Sequence, residues 1–140
     1  MDFSASTWRV LGLSVAATYI GLGTFAISAP VTAAQRFGLY PQNNSGVSSE
    51  KLLTTDKEEH GKAIATSMTL LGARDLSIGI ALACLDYQEH PRAMGTLILS
   101  GMVLCVADVY QIWRLRGPGW GSAFAAGASI WLVIGVKMVQ

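Results

Sequence analysis

The stretch "LLGARDLSIGIALACL", residues 70–85, is an apolar run that holds two adjacent charged residues. It belongs to a longer segment, 61–85, whose only other charged residue is Lys62. About twenty apolar residues can cross the hydrocarbon of a bilayer as one helix. At the centre of such a helix a charge costs at least about 2.5–3.5 kcal/mol and normally marks a functional site. Arg74 and Asp75 are therefore the first candidate functional residues.

Three further segments have the same apolar character. The whole chain has 140 residues, of which only 14% are charged, whereas soluble domains have about 25%. Four helices that are apolar on nearly all faces suit lipid better than water. The sequence predicts an all-α, integral membrane four-helix bundle forming a single domain, 1–140, with Pro30 ending the first helix. The predicted spans are residues 9–29, 61–85, 93–114 and 118–137, with a polar loop at 36–60.

Charge and cysteine usage exclude several classes of partner. The net charge is +1, without a basic cluster, so neither a nucleic-acid partner nor a polybasic membrane patch is indicated. Cys84 and Cys105 lie in apolar runs without CxxC or Cys/His spacing, so we expect buried thiols rather than a disulfide or a zinc site. No metal and no cofactor are expected.

The distribution of basic residues predicts an orientation. Basic residues are enriched in cytoplasmic loops, and loops one and three carry six of them against three on the opposite side. We therefore expect a multi-pass protein, of the endoplasmic reticulum, with loops one and three in the cytoplasm. Glycosylation of the Asn43-Asn44-Ser45 sequon in the first loop would contradict this orientation.

A third intramembrane charge, Asp108, lies in the next predicted span. The short polar turn at 86–92 predicts that spans two and three are antiparallel neighbours. Counted from this turn, Asp75 lies about 15 Å deep, Arg74 about 17 Å and Asp108 about 23 Å. Adjacent helical residues point about 100° apart, so Arg74 should need Asp108 as a partner beyond Asp75. The three groups can form one buried cluster.

Such a cluster contains the groups that acid-base catalysis needs. With both acids ionised it has one net negative charge, and a low-dielectric site favours a bound proton there. One aspartate could then act as base and the other as acid, while the arginine orients both. This set suits the attack of water on an epoxide. Four polar side chains could bind the water or substrate: Tyr19, Gln111, Tyr110 and Ser77.

Less specific interpretations remain open for these residues. Tyr110 could belong to an interfacial aromatic belt, and Ser77 could bond its own helix backbone. The ion cluster could be structural and fix the helix register. The alternative function is then a non-catalytic membrane scaffold or a transporter subunit.

Two stretches resemble a known family. "GARDLSIGIAL", residues 72–82, and "VADVYQIW", residues 106–113, lie within spans rich in small residues. They resemble a family of small multipass membrane proteins of unknown function, and in particular its fungal members in polyketide clusters of the aurovertin and citreoviridin type. The resemblance covers nearly the whole chain.

The resemblance implies an epoxide hydrolase or epoxide-opening cyclase without a cofactor. Its substrate would be a lipophilic polyketide epoxide made by a flavin monooxygenase. That monooxygenase and membrane lipid are the implied partners. The resemblance does not decide between a monomer and a homo-oligomer. Arg74, Asp75 and Asp108 would be the charged positions of the family. Soluble enzymes similar to limonene-epoxide hydrolase also use an Asp-Arg-Asp set, but on an unrelated fold.

Overall fold

The structure, a computed structural model, describes residues 5–39 and 54–140. Within these ranges all regular secondary structure is helical, and four helices are long and apolar enough to cross a membrane. The predicted all-α membrane bundle is therefore confirmed. The helices are α1 (Ala5–Ser28), α2 (Pro30–Phe37), α3 (Thr54–Tyr87), α4 (Pro91–Arg116) and α5 (Pro118–Val139).

Both ends of the predicted polar loop at 36–60 are helical. Arg36 and Phe37 belong to α2, and the backbone is helical from Thr54 onward as part of α3. The Asn43-Asn44-Ser45 sequon lies outside the described residues.

Pro30 separates α1 from the short helix α2. It ends the first span as expected, but it also occupies the first turn of α2, where its missing N–H costs no hydrogen bond. The sequence analysis had not predicted this second helix. α2 ends at Gly38, whose φ of 77° lies in the left-handed region that glycine tolerates. The guanidinium of Arg116, at the end of α4, donates a hydrogen bond to the carbonyl oxygen of Arg36, so α2 is also tied to α4.

The long helices pack as two pairs. α1 lies mainly against α3, and α4 mainly against α5, whereas α3 and α4 touch much less. Spans two and three are antiparallel and joined by a short turn, as expected, but the closest packing is elsewhere. Glycine allows the close packing of α1 against α3, because a Cβ at Gly23 would lie only 2.7 Å from the carbonyl oxygen of Gly72. Small residues allow such close approach of helix backbones in lipid.

A buried core joins the two pairs, and apolar side chains cover the outside. The core includes Val15 of α1, Leu82 of α3 and Met94 of α4. Large apolar side chains such as Val103 and Val106 are mostly exposed. An apolar outer surface of this extent is expected where helices face lipid. The protein is a multi-pass membrane protein.

Candidate functional site

Arg74 lies between two carboxylates from different helix pairs. Its Nε donates a hydrogen bond to Oδ1 of Asp75 at 3.0 Å, and its Nη2 lies 2.9 Å from the same oxygen. The same Nη2 is 3.6 Å from Oδ2 of Asp108 on α4. The structure thus brings together the three intramembrane charges that the sequence analysis singled out.

Arg74 contacts its neighbour Asp75 directly and also has a second partner. Neighbouring helical residues diverge by about 100° at the backbone, which is why a partner beyond Asp75 is expected for Arg74. The long arginine side chain nevertheless folds back to its neighbour. Asp108 is a second partner at greater distance, so Arg74 contacts both acids at once.

The two carboxylates differ in their surroundings. Asp75 is almost fully buried, with 8% of the residue exposed, and one of its oxygens receives both short contacts from the guanidinium. The side chain of Asp108 is 46% exposed and has only the longer contact. Asp75 is therefore firmly held, and Asp108 is freer to move and to meet another molecule.

Both carboxylates line a cavity of about 300 Å³ between the two helix pairs. This volume lies at the lower end of the range for small-molecule sites. Its polar lining consists of Thr18, Tyr19, Asp75, Cys105, Asp108 and Gln111. The remaining lining is apolar: Leu22, Phe37, Leu39, Met68, Leu71, Val109, Ile112, Leu115, Phe124, Gly127, Ala128 and Trp131. The cavity therefore combines an apolar wall with a few polar groups, as small-molecule sites usually do.

Two of the four predicted binding residues lie at this cavity. Tyr19 is buried, its hydroxyl lies 3.9 Å from Sγ of Cys105, and its ring centroid is 5.0 Å from that of Trp131. Gln111 lines the same cavity from α4. Both can reach a molecule bound beside the carboxylates.

The other two candidates, Tyr110 and Ser77, do not line the cavity. Tyr110 is 62% exposed on the outer surface. The hydroxyl of Ser77 donates a hydrogen bond to the carbonyl oxygen of Ala73 at 2.7 Å. Each follows a carboxylate by two positions, which places it about 200° around the helix from Asp108 or Asp75. Both side chains therefore face away from the cavity, in agreement with the less specific interpretations of these two residues.

Sequence reasoning missed several lining residues. Cys105 was interpreted only as a buried thiol, although its spacing of three from Asp108 places both on one helix face. Trp131 and Gly127 of α5 gave no signal because α5 has no charge before Lys137. Among the side chains that the structure describes, those of residues 6–39 and 61–140, no cluster of His, Cys, Asp or Glu could hold a metal ion.

The comparisons with known proteins place most of the chain in one family. The model of a family described as a domain of unknown function, DUF4267, matches residues 16–138. This range contains Tyr19 and all three charged residues of the cluster. No curated protein and no solved structure matches the chain at a significant level. The match agrees with the expected small membrane family but assigns no activity.

Proposed function

Because the chain belongs to the DUF4267 family, whose description names no activity, we propose a function from its own site: a membrane-embedded epoxide hydrolase or epoxide-opening cyclase for a lipophilic epoxide. The observation that carries this proposal is that Arg74 contacts two carboxylates, Asp75 and Asp108, both of which line an apolar cavity. Nη2 of Arg74 lies 2.9 Å from Asp75 and 3.6 Å from Asp108. Opening an epoxide requires an acid, a base and a group that positions them.

The different contacts of the two acids favour different roles. Oδ1 of Asp75 accepts a hydrogen bond from Nε of Arg74 and lies 2.9 Å from its Nη2, which orients the carboxylate and leaves Oδ2 free to accept a proton. Asp108 has a single, longer contact and a half-exposed side chain. We therefore assign Asp75 as the base and Asp108, carrying the proton, as the acid.

The reaction conserves atoms and charge without a further reactant. Asp75 takes a proton from water as the water oxygen forms a bond to one epoxide carbon. The bond between that carbon and the epoxide oxygen breaks, and Asp108 gives its proton to this oxygen. The product is a diol, while Asp75 is now protonated and Asp108 ionised. Transfer of one proton from Asp75 to Asp108 restores the starting state.

The cavity supports a lipophilic substrate. Most of its lining residues are apolar, so an apolar molecule would gain free energy on leaving water for this site. Tyr19 and Gln111 are the polar neighbours that can hold the attacking water or orient the epoxide. Each step uses only side chains of this chain and needs neither a metal nor an organic cofactor.

In the cyclase form of the reaction, a hydroxyl of the substrate replaces water and closes a ring. The resemblance of residues 72–82 and 106–113 to fungal polyketide enzymes favours a polyketide epoxide, supplied by an epoxidising flavin monooxygenase. We place the protein in the endoplasmic reticulum membrane with loops one and three in the cytoplasm. This orientation rests on the excess of basic residues in those loops.

The test is conversion of epoxides by the purified protein in detergent, in ¹⁸O-labelled water, with Asp75→Asn and Asp108→Asn alongside. A hydrolase should produce a diol that carries the label, and a cyclase an unlabelled isomer. Both variants should lose epoxide conversion, while their elution volume in size-exclusion chromatography and their melting temperature stay those of wild type. Unchanged conversion in both variants would remove the catalytic assignment and favour a structural cluster.

A further inference from the structure

Gly127 is a glycine in the cavity wall that helix packing does not explain. A Cβ at this position would meet no atom within 4 Å, whereas one at Gly135 on the same helix would lie 3.0 Å from Leu99. Glycine in a helix interior is less favourable than alanine, so an unpacked glycine there is not explained by stability. Gly127 lines the cavity on the same face of α5 as Phe124 and Trp131, which stand three and four positions away, so the open space faces the cavity.

This open space lies at the level of the charged cluster. α4 and α5 run in opposite directions, and Gly135 packs against Leu99. Counting eight residues back along α5 and eight forward along α4 places Gly127 opposite Ala107. The next residue of α4 is Asp108, which lines the same cavity, so Gly127 and Asp108 lie at about the same level along the bundle.

The cavity continues on both sides of this level. In one direction, Tyr19 and Trp131 form an aromatic end. In the other direction, Phe124 and Leu115 extend the wall toward α2. Trp131 and Phe124 are separated by about 10 Å along α5. An elongated molecule that fills this cavity therefore passes Gly127, with part of its length on each side.

We propose that the cavity binds a slender, elongated apolar molecule whose oxygen-bearing carbons lie between its two ends, and that Gly127 is the specificity-determining position that limits its thickness. A branch or ring beside the oxygen would compete for the space next to Asp108. The chemistry at that oxygen rests on the proposed function, but binding of the chain past Gly127 can be measured without it.

The experiment uses two photoreactive alcohols, a straight-chain oleyl analogue and a branched phytyl analogue, each with a diazirine in mid-chain. The purified full chain is crosslinked in detergent, and labelled cavity peptides are quantified by mass spectrometry. Gly127→Leu and Gly127→Phe should lower labelling by both probes about tenfold, as expected when a filled site is overpacked. Gly127→Ala should mainly lower labelling by the branched probe.

The matched control is Gly21→Leu. Gly21 also has no atom within 4 Å of a built Cβ, but it does not line the cavity, so labelling should stay at the wild-type level. Equal labelling of wild type and folded Gly127→Leu would overturn the inference. If the larger variants do not fold, the test is Gly127→Ala. The inference is overturned if this variant has the same ratio of labelling by the branched probe to labelling by the straight-chain probe as wild type.

Conversion of the mid-chain epoxide of oleyl alcohol, assayed on the same samples, separates the two proposals. If labelling depends on residue 127 but no epoxide is converted, the inference stands and the proposed function fails. If epoxide is converted equally by wild type and folded Gly127→Leu, the proposed function stands and the inference is overturned.

Discussion

Gly23 of α1 and Gly72 of α3 face each other so closely that each leaves no room for a side chain on the other. A Cβ on Gly23 would lie 2.7 Å from the carbonyl oxygen of Gly72, and a Cβ on Gly72 would lie 2.8 Å from that of Gly23. The opposing atoms are backbone, so only separation of the helices could relieve the clash.

We expect Gly23→Ala to destabilise the protein by about 1–3 kcal/mol, in the range typical of overpacked cores. The control is Gly21→Ala on the same helix, which has open space around it and should gain about 0.5–1 kcal/mol from the better helix former. The measurement is the free energy of unfolding in a denaturing-detergent titration. Equal effects of the two substitutions would contradict the close α1–α3 contact.

Arg74→Lys keeps the positive charge but removes the planar set of donors. An ammonium group cannot contact Asp75 with two N–H groups and still present the same geometry to Asp108. If Arg74 positions both acids, epoxide conversion should fall about a hundredfold, the lower end of the range for losing acid-base catalysis. Steady-state rates and melting temperature are measured together. Wild-type rates in this variant would show that a point charge is enough.

Tyr19→Phe separates the hydroxyl of Tyr19 from its ring. The ring contact with Trp131 should persist, so the melting temperature should stay close to that of wild type. We expect a roughly tenfold loss of conversion if the hydroxyl holds water or substrate, which corresponds to one lost hydrogen bond. The control is Tyr110→Phe, the same change at an exposed tyrosine that does not line the cavity, and its rate should stay at the wild-type level. Equal conversion rates for Tyr19→Phe and wild type would mean that the hydroxyl of Tyr19 has no role in the reaction and that Tyr19 contributes only to packing.

The ion pair between Arg9 and Asp86 offers a test away from the cavity. Two contacts, 2.7 Å and 3.1 Å long, join the start of α1 to the end of α3. Arg9→Ala should lower the melting temperature slightly at low salt and less at high salt, because exposed pairs are screened. Epoxide conversion should not change, since neither residue lines the cavity. A loss of conversion in this variant at full stability would mean that the functional site extends to this end of the bundle.

The four membrane helices could be predicted because length and hydropathy determine them directly. The proximity of Arg74 and Asp108 could be predicted, because the helix rise counted from the short turn places both at similar depths. The pairing of α1 with α3 could not be predicted, because helices apolar on every face show no periodic pattern that marks the inner side. For the same reason Trp131 and Gly127 were missed, and the sequence alone does not decide between a cavity position and an outward position for Tyr110. The Arg74–Asp75 contact depends on a side-chain conformation, which residue spacing does not fix.

Because the bundle consists of two helix pairs, the Arg74–Asp108 contact is a link between them. Arg74 belongs to one half of the molecule and Asp108 to the other, and the cavity lies along the boundary between them. A proton that leaves Asp108 would strengthen the attraction across this boundary, and its return would weaken it. In the proposed reaction the two helix pairs would then be held together more firmly once Asp108 has given up its proton, and less firmly once it has regained it.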